Sequence, residues 1–230
     1  MSEMQMPLKS SALNEGQKQL QSFLGDAGMH YKFRTQTPGI WEKIAGEVSY
    51  FPVMYSDSMI DWRILYLNST ERAAFDTSLI LYHDHRPCAI WPLTLERNAS
   101  WKINSNGDPV LPPLFSNKLS PRTVKTLTGE CLNLVDQVAK ANSHAAWESM
   151  QIFTAEIGLS EWHVRSMWKG ASAEIRHEAF VDLSLDIATI KSYFRKSYRP
   201  LLSVGQRLWS VGTLEYDNPE IWSRFRELHG

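Results

Sequence analysis

Two cysteines are all that the 230 residues contain. Both stand in apolar surroundings, Cys88 before Ala89-Ile-Trp91 and Cys131 on a helical stripe, so neither a disulfide framework nor a reactive thiol is expected. Long apolar runs are lacking too. Uncharged stretches reach only about nine residues, as from Val48 to Ser56, far short of the roughly 20 that span a bilayer. Charge of one sign is missing as well: 24 Lys and Arg stand against 25 Asp and Glu, for a net charge of −1, whereas a domain built to bind nucleic acid would be basic throughout. The opening residues, MSEMQMPLKSS, carry an early acid and no apolar core, unlike a secretory signal. The expectation is a cytoplasmic globular protein without a transmembrane helix. No P-loop, GxSxG or HExxH pattern occurs, which removes the commonest phosphate-cradling, serine-nucleophile and zinc-protease signatures.

What is present is ample material for a core, at 43% hydrophobic residues. Nine tryptophans are many for this length. An exposed indole can stack on a sugar or base, but Trp91 and Trp147 lie inside apolar runs and are expected to be core. A helix is expected from about Leu13 to Leu24, after ten disordered residues. Short helices follow over Ile40 to Ile44 and after Ser56 or Asp57, the second with Ile60, Ile64 and Leu65 turned inward. From Phe75 the period becomes two. Ser78 to Tyr82 and Cys88 to Leu95 read as a hairpin around His83-Asp-His-Arg-Pro87. A third strand runs from Trp101 to Asn104, closed by Asn106-Gly107, and Pro109 to Lys118 is an irregular crossing. Ser120-Pro121 opens a helix with the stripe Val124, Leu127, Cys131, Leu134 and Val138. Then come a strand from Trp147 to Thr154, a helix from Ser160 to Lys169 and a strand from Ile175 to Leu183. This order predicts an α/β fold in which one mixed sheet, with the Trp147 strand near its centre, is flanked by helices.

The stretch from Asp186 to Arg207 stands apart. It holds Lys191, Arg195, Lys196, Arg199 and Arg207, and no acid follows Asp186 until Glu215. Asp186 suits an N-cap, and Ile187, Ile190 and Phe194 recur at helical offsets, so an amphipathic helix is expected, ending or kinking at Pro200 with Arg199 outside the α region. Guanidinium and ammonium groups beside Tyr198 suit phosphate or carboxylate, because Arg offers a bidentate fork and Tyr a neutral donor. A solvated basic face is the alternative. A strand from Leu208 to Tyr216 and a helix opened by Asn218-Pro219-Glu220 are expected next.

Other chemistry is weakly marked. His83 and His85 could share one side of a strand as metal ligands do, but no third ligand is recognisable and a polar turn accounts for both. Glu148 and Glu156 flank a predicted strand without a partner that would make either a base.

With this order of elements, the segment Phe194-Arg-Lys-Ser-Tyr-Arg-Pro200 and the later Phe225, Arg226, Leu228 and His229, the chain resembles the FemAB-like branch of the GNAT acyltransferase superfamily, whose members build peptidoglycan bridges. The hairpin segments Ser78-Leu-Ile and Ala89-Ile-Trp-Pro92 add to the likeness. The resemblance covers about residues 50–230 and implies two GNAT-type lobes joined by the basic helix. On that reading 1–35 is a polar N-terminal segment, 36–185 a GNAT-like lobe, 186–207 the linking helix and 208–230 the start of a second, truncated lobe, since the family continues beyond the Leu-His pair. The implied activity is transfer of an acyl or aminoacyl group to an amine of a cell-envelope sugar or peptide precursor, lipid-linked or free. The donor is a coenzyme A thioester or an aminoacyl-tRNA, and Arg195, Lys196, Tyr198 and Arg199 bind substrate. A non-catalytic binding module or truncated remnant, and a coenzyme A-dependent N-acetyltransferase, remain as alternatives. Single-lobe acetyltransferases use a glycine-rich turn before their central helix to cradle the pyrophosphate of coenzyme A. Here that place is Pro112 to Pro121, without a glycine, so no tightly bound cofactor is expected.

Overall fold

The structure, a computed structural model, describes residues 12–25, 29–70, 72–142, 147–149, 160–174, 184–208, 223, 224 and 227. It divides into two compact units, Met1–Ala173 and Glu174–Gly230.

The first unit is built on a hairpin whose strands are buried on both faces. β3 (Leu79–His83) pairs antiparallel with β4 (Arg86–Trp91). Side chains alternate across the pleat: Leu79, Leu81, Ala89 and Trp91 enter one core and Ile80 and Ile90 the other. The larger core is closed by α1 (Glu15–Leu24) and α4 (Pro121–Ala141), which contribute Leu20, Leu24, Leu127, Cys131, Leu134 and Val138. The smaller one is closed by α2 (Ile40–Ala45) and α3 (Asp57–Ser69) through Trp41, Ile44 and Ile60. Helices therefore cover both faces, the arrangement that nearly continuous apolar strands require.

The described strands form two antiparallel sheets where one mixed sheet was expected. One has the order β1-β3-β4-β7, with β1 at Tyr31–Phe33 and β7 at Leu114–Phe115; the other has the order β2-β5-β6, with β2 at Ala73–Asp76, β5 at Thr94–Arg97 and β6 at Trp101–Asn104. The break has a local cause. Pro92 has no amide to donate, so between β4 and β5 the ladder is carried by irregular bonds, Thr77 N to Leu93 O at 2.9 Å and Leu93 N to Ser78 Oγ at 3.2 Å. Among the described residues, the one parallel pairing is an isolated bridge between Val110 and Ser149. β1 was not foreseen: three residues are too few to show a period.

The helices largely follow their sequence signals. Asn14 caps α1 through a reciprocal box with Gln17, Ser56 caps α3, and Ser120 with Pro121 opens α4. α3 runs longer than expected, so Leu67 joins Ile60 inside, while Leu65 is 69% exposed. Leu65 lies beside Trp62 and Tyr66, whose rings stack 5.6 Å apart. α5 spans Glu161–Trp168 and packs on α4. Of the seven described tryptophans, Trp41, Trp91 and Trp162 are buried and Trp101 and Trp147 pack against the larger core, leaving only Trp62 and Trp168 exposed.

In the second unit the basic stretch is two helices. α6 (Ile187–Tyr193) is capped by Asp186, whose carboxylate accepts the Thr189 amide at 3.0 Å, and it stops at Phe194 and Arg195, both extended. A 3-10 turn over Lys196–Tyr198 leads into α7 (Arg199–Leu208). The expectation that Pro200 ends a helix with Arg199 outside the α region is thus reversed: Arg199 is helical, at φ −60° and ψ −43°, and Pro200 opens α7. A proline is tolerated in a first turn because no intrahelical bond needs its missing amide. The strand expected over Ile175 to Leu183, most of those from Trp147 and Leu208, the opening ten residues and the helix start at Asn218 lie outside the described residues. No helix among the described residues is long and apolar enough to cross a membrane.

Candidate functional site

The tip of the β3–β4 hairpin is where polar chemistry gathers. Asp84 and His85 form its turn, both left-handed, at φ 48° and 60°. A two-residue hairpin turn of this hand suits Asn-Gly or Asp-Gly, and a non-glycine residue at the second position is strained. Between this tip and α4 lies a cavity of about 460 Å³. α4 presents Arg122, Thr126 and Glu130 to it, at offsets of four along one helix face, while His30, His83 and His85 line it from the sheet side. The rings of His30 and His85 lie 6.3 Å apart, tilted by 53°, and His83 Nε2 is 3.5 Å from Asp84 Oδ2. Burial raises the pKa of the Glu130 carboxyl, against the opposing pull of His83 and His30. A half-buried carboxyl of raised pKa beside imidazoles, in a concave site, is equipped to accept and return a proton.

A second cavity, of about 790 Å³, borders the same hairpin tip and is lined by α2 instead of α4. Lys43, Arg86 and Lys118 give it a positive rim. Glu47 partly offsets them, accepting Lys118 Nζ at 2.7 Å and Ser116 Oγ at 2.8 Å, and these bonds hold its pKa below the ordinary carboxylate range. The wall beside it is the chain from Ser116 to Leu119, the place where a glycine turn was sought and not found.

The residues expected to bind substrate lie in the second unit. Arg195, Lys196, Tyr198 and Arg199 are all exposed, grouped around the break between α6 and α7. Arg199 Nη2 donates to the Ser192 carbonyl at 3.2 Å, which ties the start of α7 to the last turn of α6. His83, the last residue of β3, and His85, in the turn, both line the first cavity, and among the described residues no group of three His, Cys, Asp or Glu is set to hold a metal. Cys88 and Cys131 are buried, and burial pushes the Cys88 thiol up to about 11 and the Cys131 thiol up as well, as expected of inert thiols. Glu148 is exposed and its backbone carbonyl accepts the Val110 amide; Glu156 lies outside the described residues. Sequence reasoning missed Glu130 and His30. The only signal was the spacing of Arg122, Thr126 and Glu130 on the polar side of α4, which a solvated helix face shares.

No protein-family model matches the chain, and neither a curated protein nor a solved structure matches it.

Proposed function

We propose that the chain is a FemAB-like acyl or aminoacyl transferase, forming an amide on an amine of a cell-envelope sugar or peptide precursor. The observation that carries this reading is the exposed group Arg195, Lys196, Tyr198 and Arg199 at a helix break, in a stretch free of acids from Ile187 to Leu214. Phosphate or carboxylate of a precursor can meet several donors there at once. The order of elements in the first unit from Ile40 onward adds support, with helices α2 and α3 before the antiparallel hairpin, then the long α4. In the reaction the acceptor nitrogen attacks the donor's carbonyl carbon and the C–S or C–O bond to the carrier breaks. The amine's proton leaves, and the carrier departs as a thiol or a tRNA hydroxyl. Positioning and charge stabilisation suffice for such a step, without a covalent nucleophile.

The alternative, a solvated basic face without a ligand, is favoured by a different observation. Arg199 already spends one donor on the Ser192 carbonyl, a structural use that any exposed arginine near a helix end can serve. Titration with uridine diphosphate N-acetylglucosamine separates binding from mere solvation of this face. Arg199→Lys is expected to weaken binding several-fold, since an ammonium cannot reproduce the guanidinium fork, and Lys196→Gln to weaken it further. Equal affinities in wild type and both variants would remove these residues from the site.

A further inference from the structure

We propose that the cleft between the β3–β4 hairpin tip and the first three turns of α4 is the acceptor site, holding a hydroxylated primary amine such as an amino sugar, and that Glu130 takes the amine's proton. The inference rests on the acyl-transfer reading for its place in the reaction, and on the cleft alone for binding.

Size and lining select the ligand class. About 460 Å³ lies within the range of small-molecule sites and holds one or two sugar rings. Apart from Leu127, the walls are polar. Thr123 and Thr126 bring hydroxyls and His30 and His85 bring imidazoles, groups that both donate and accept, as a ligand rich in hydroxyls requires. A purely anionic ligand is disfavoured, because Glu130 and Asp84 share the cleft with the single guanidinium of Arg122. An ammonium is the complementary charge.

Glu130 is placed to discriminate for that ammonium. It lies on α4 one turn beyond Thr126, and the groups around it are His83 and His30 from the sheet side, with Arg122 two turns back on its own helix and Asp84 at the turn. Burial raises its pKa, so it is a stronger base than a free glutamate and a better match to an amine's proton. The turn adds a separate observation. Asp84 and His85 keep left-handed backbone that glycine would adopt without strain, and both are exposed, so packing does not account for them. Strain of this kind persists where a side chain is needed in place, and both strained residues, Asp84 and His85, line the cleft.

The test compares D-glucosamine with D-glucose, which lacks the amine, titrated into the full chain while the histidine ring protons are followed by NMR. Glucosamine is expected to shift the resonances of His30, His83 and His85 and to bind at least tenfold more tightly than glucose. Glu130→Gln should erase the difference. That variant keeps the side-chain shape and removes a carboxylate that burial disfavours, so it is expected to fold at least as stably as wild type at pH 7. Thr126→Val should weaken both sugars alike. Equal affinities for the two sugars, no shift at these histidines, or undiminished preference for glucosamine in Glu130→Gln would each overturn the proposal. Amine binding without transfer from any acyl donor would sink the acyl-transfer reading and leave the cleft standing; absent amine binding, with the Arg199 result intact, would do the reverse.

Discussion

Gly16 shows how one position is decided by an element far away in the chain. In the first turn of α1 glycine is a poor helix former, and alanine would gain up to about 1 kcal/mol from propensity alone. A Cβ at this position, however, would lie 2.4 Å from Phe75 Cβ and 2.9 Å from Phe75 Cγ. No such approach is tolerated, and Phe75 is fixed in β2, which pairs with β5. The helix is drawn this close because Asn14 Nδ2 and Gln17 Nε2 both donate to the Asp76 carbonyl, at 3.1 and 3.2 Å. Overpacking typically costs about 1–3 kcal/mol, more than the propensity gain. Gly16→Ala is therefore expected to destabilise the protein by about 1–2 kcal/mol in urea titration; a stabilised variant would mean that α1 can shift off the sheet at little cost. A helix from about Leu13 to Leu24 was legible, whereas its capping box of Asn14 and Gln17 came only with the structure. The need for glycine between them was not legible, because it depends on a strand 59 residues further on.

Between elements, the strongest tie is likewise a long-range one. Arg34, 3% exposed, follows β1 and makes ion pairs to Asp57 and Asp61 of α3 and to Asp76 of β2. Its Nε and Nη2 donate to Asp76 Oδ2 at 3.1 and 2.8 Å, while Asp76 Oδ1 accepts the Ser78 amide. Burial alone would lower the pKa of the guanidinium; the surrounding carboxylates outweigh it and raise the pKa. Removing one partner of a buried pair leaves an uncompensated charge, at about 3–5 kcal/mol. Arg34→Met is expected to cost about that much. Arg34→Lys should recover only part of it, because an ammonium cannot fork to three carboxylates. Asp61 is 42% exposed at its side chain, so Asp61→Asn should change stability by under about 1 kcal/mol. Equal losses for Asp61→Asn and Arg34→Met in chemical denaturation would refute this ranking. The hairpin and α4 were readable in advance, since a two-residue period and a capped apolar stripe are local signals. The split into two sheets was not, as Pro92 interrupts a ladder without ending either apolar run. Pro200 misled for a related reason: proline marks a helix boundary without saying which side of it is helical.

For the whole molecule, the general class, helices and antiparallel strands around a doubly buried hairpin, was legible from order and period. The cleft was not, because His30, the hairpin turn and Glu130 come together only when β3 packs on α4. The basic stretch was visible precisely as a run of charge, yet its break at Phe194 and Arg195 needed the structure. The competing readings of the whole chain part over coenzyme A. A pyrophosphate cradle needs several amides converging on one point, which glycines allow by letting the backbone turn tightly. From Ser116 to Leu119 the amides are committed elsewhere: Ser116 N donates to the Cys88 carbonyl at 2.8 Å, Asn117 N to the Glu47 carbonyl at 3.0 Å, Lys118 N to Ser116 Oγ at 3.3 Å and Leu119 N to the Ser116 carbonyl at 3.1 Å. Lys118 Nζ is held by Glu47 at 2.7 Å, so the nearest ammonium is partly neutralised as well. An arriving pyrophosphate would have to break these bonds, each worth about 1 kcal/mol net, before gaining any of its own. Calorimetric titration with acetyl-coenzyme A is therefore expected to give a dissociation constant well above the micromolar range, weaker than about −8 kcal/mol. Tight binding, lost on Lys118→Ala, would instead place the cofactor on this loop and make the chain a coenzyme A-dependent N-acetyltransferase.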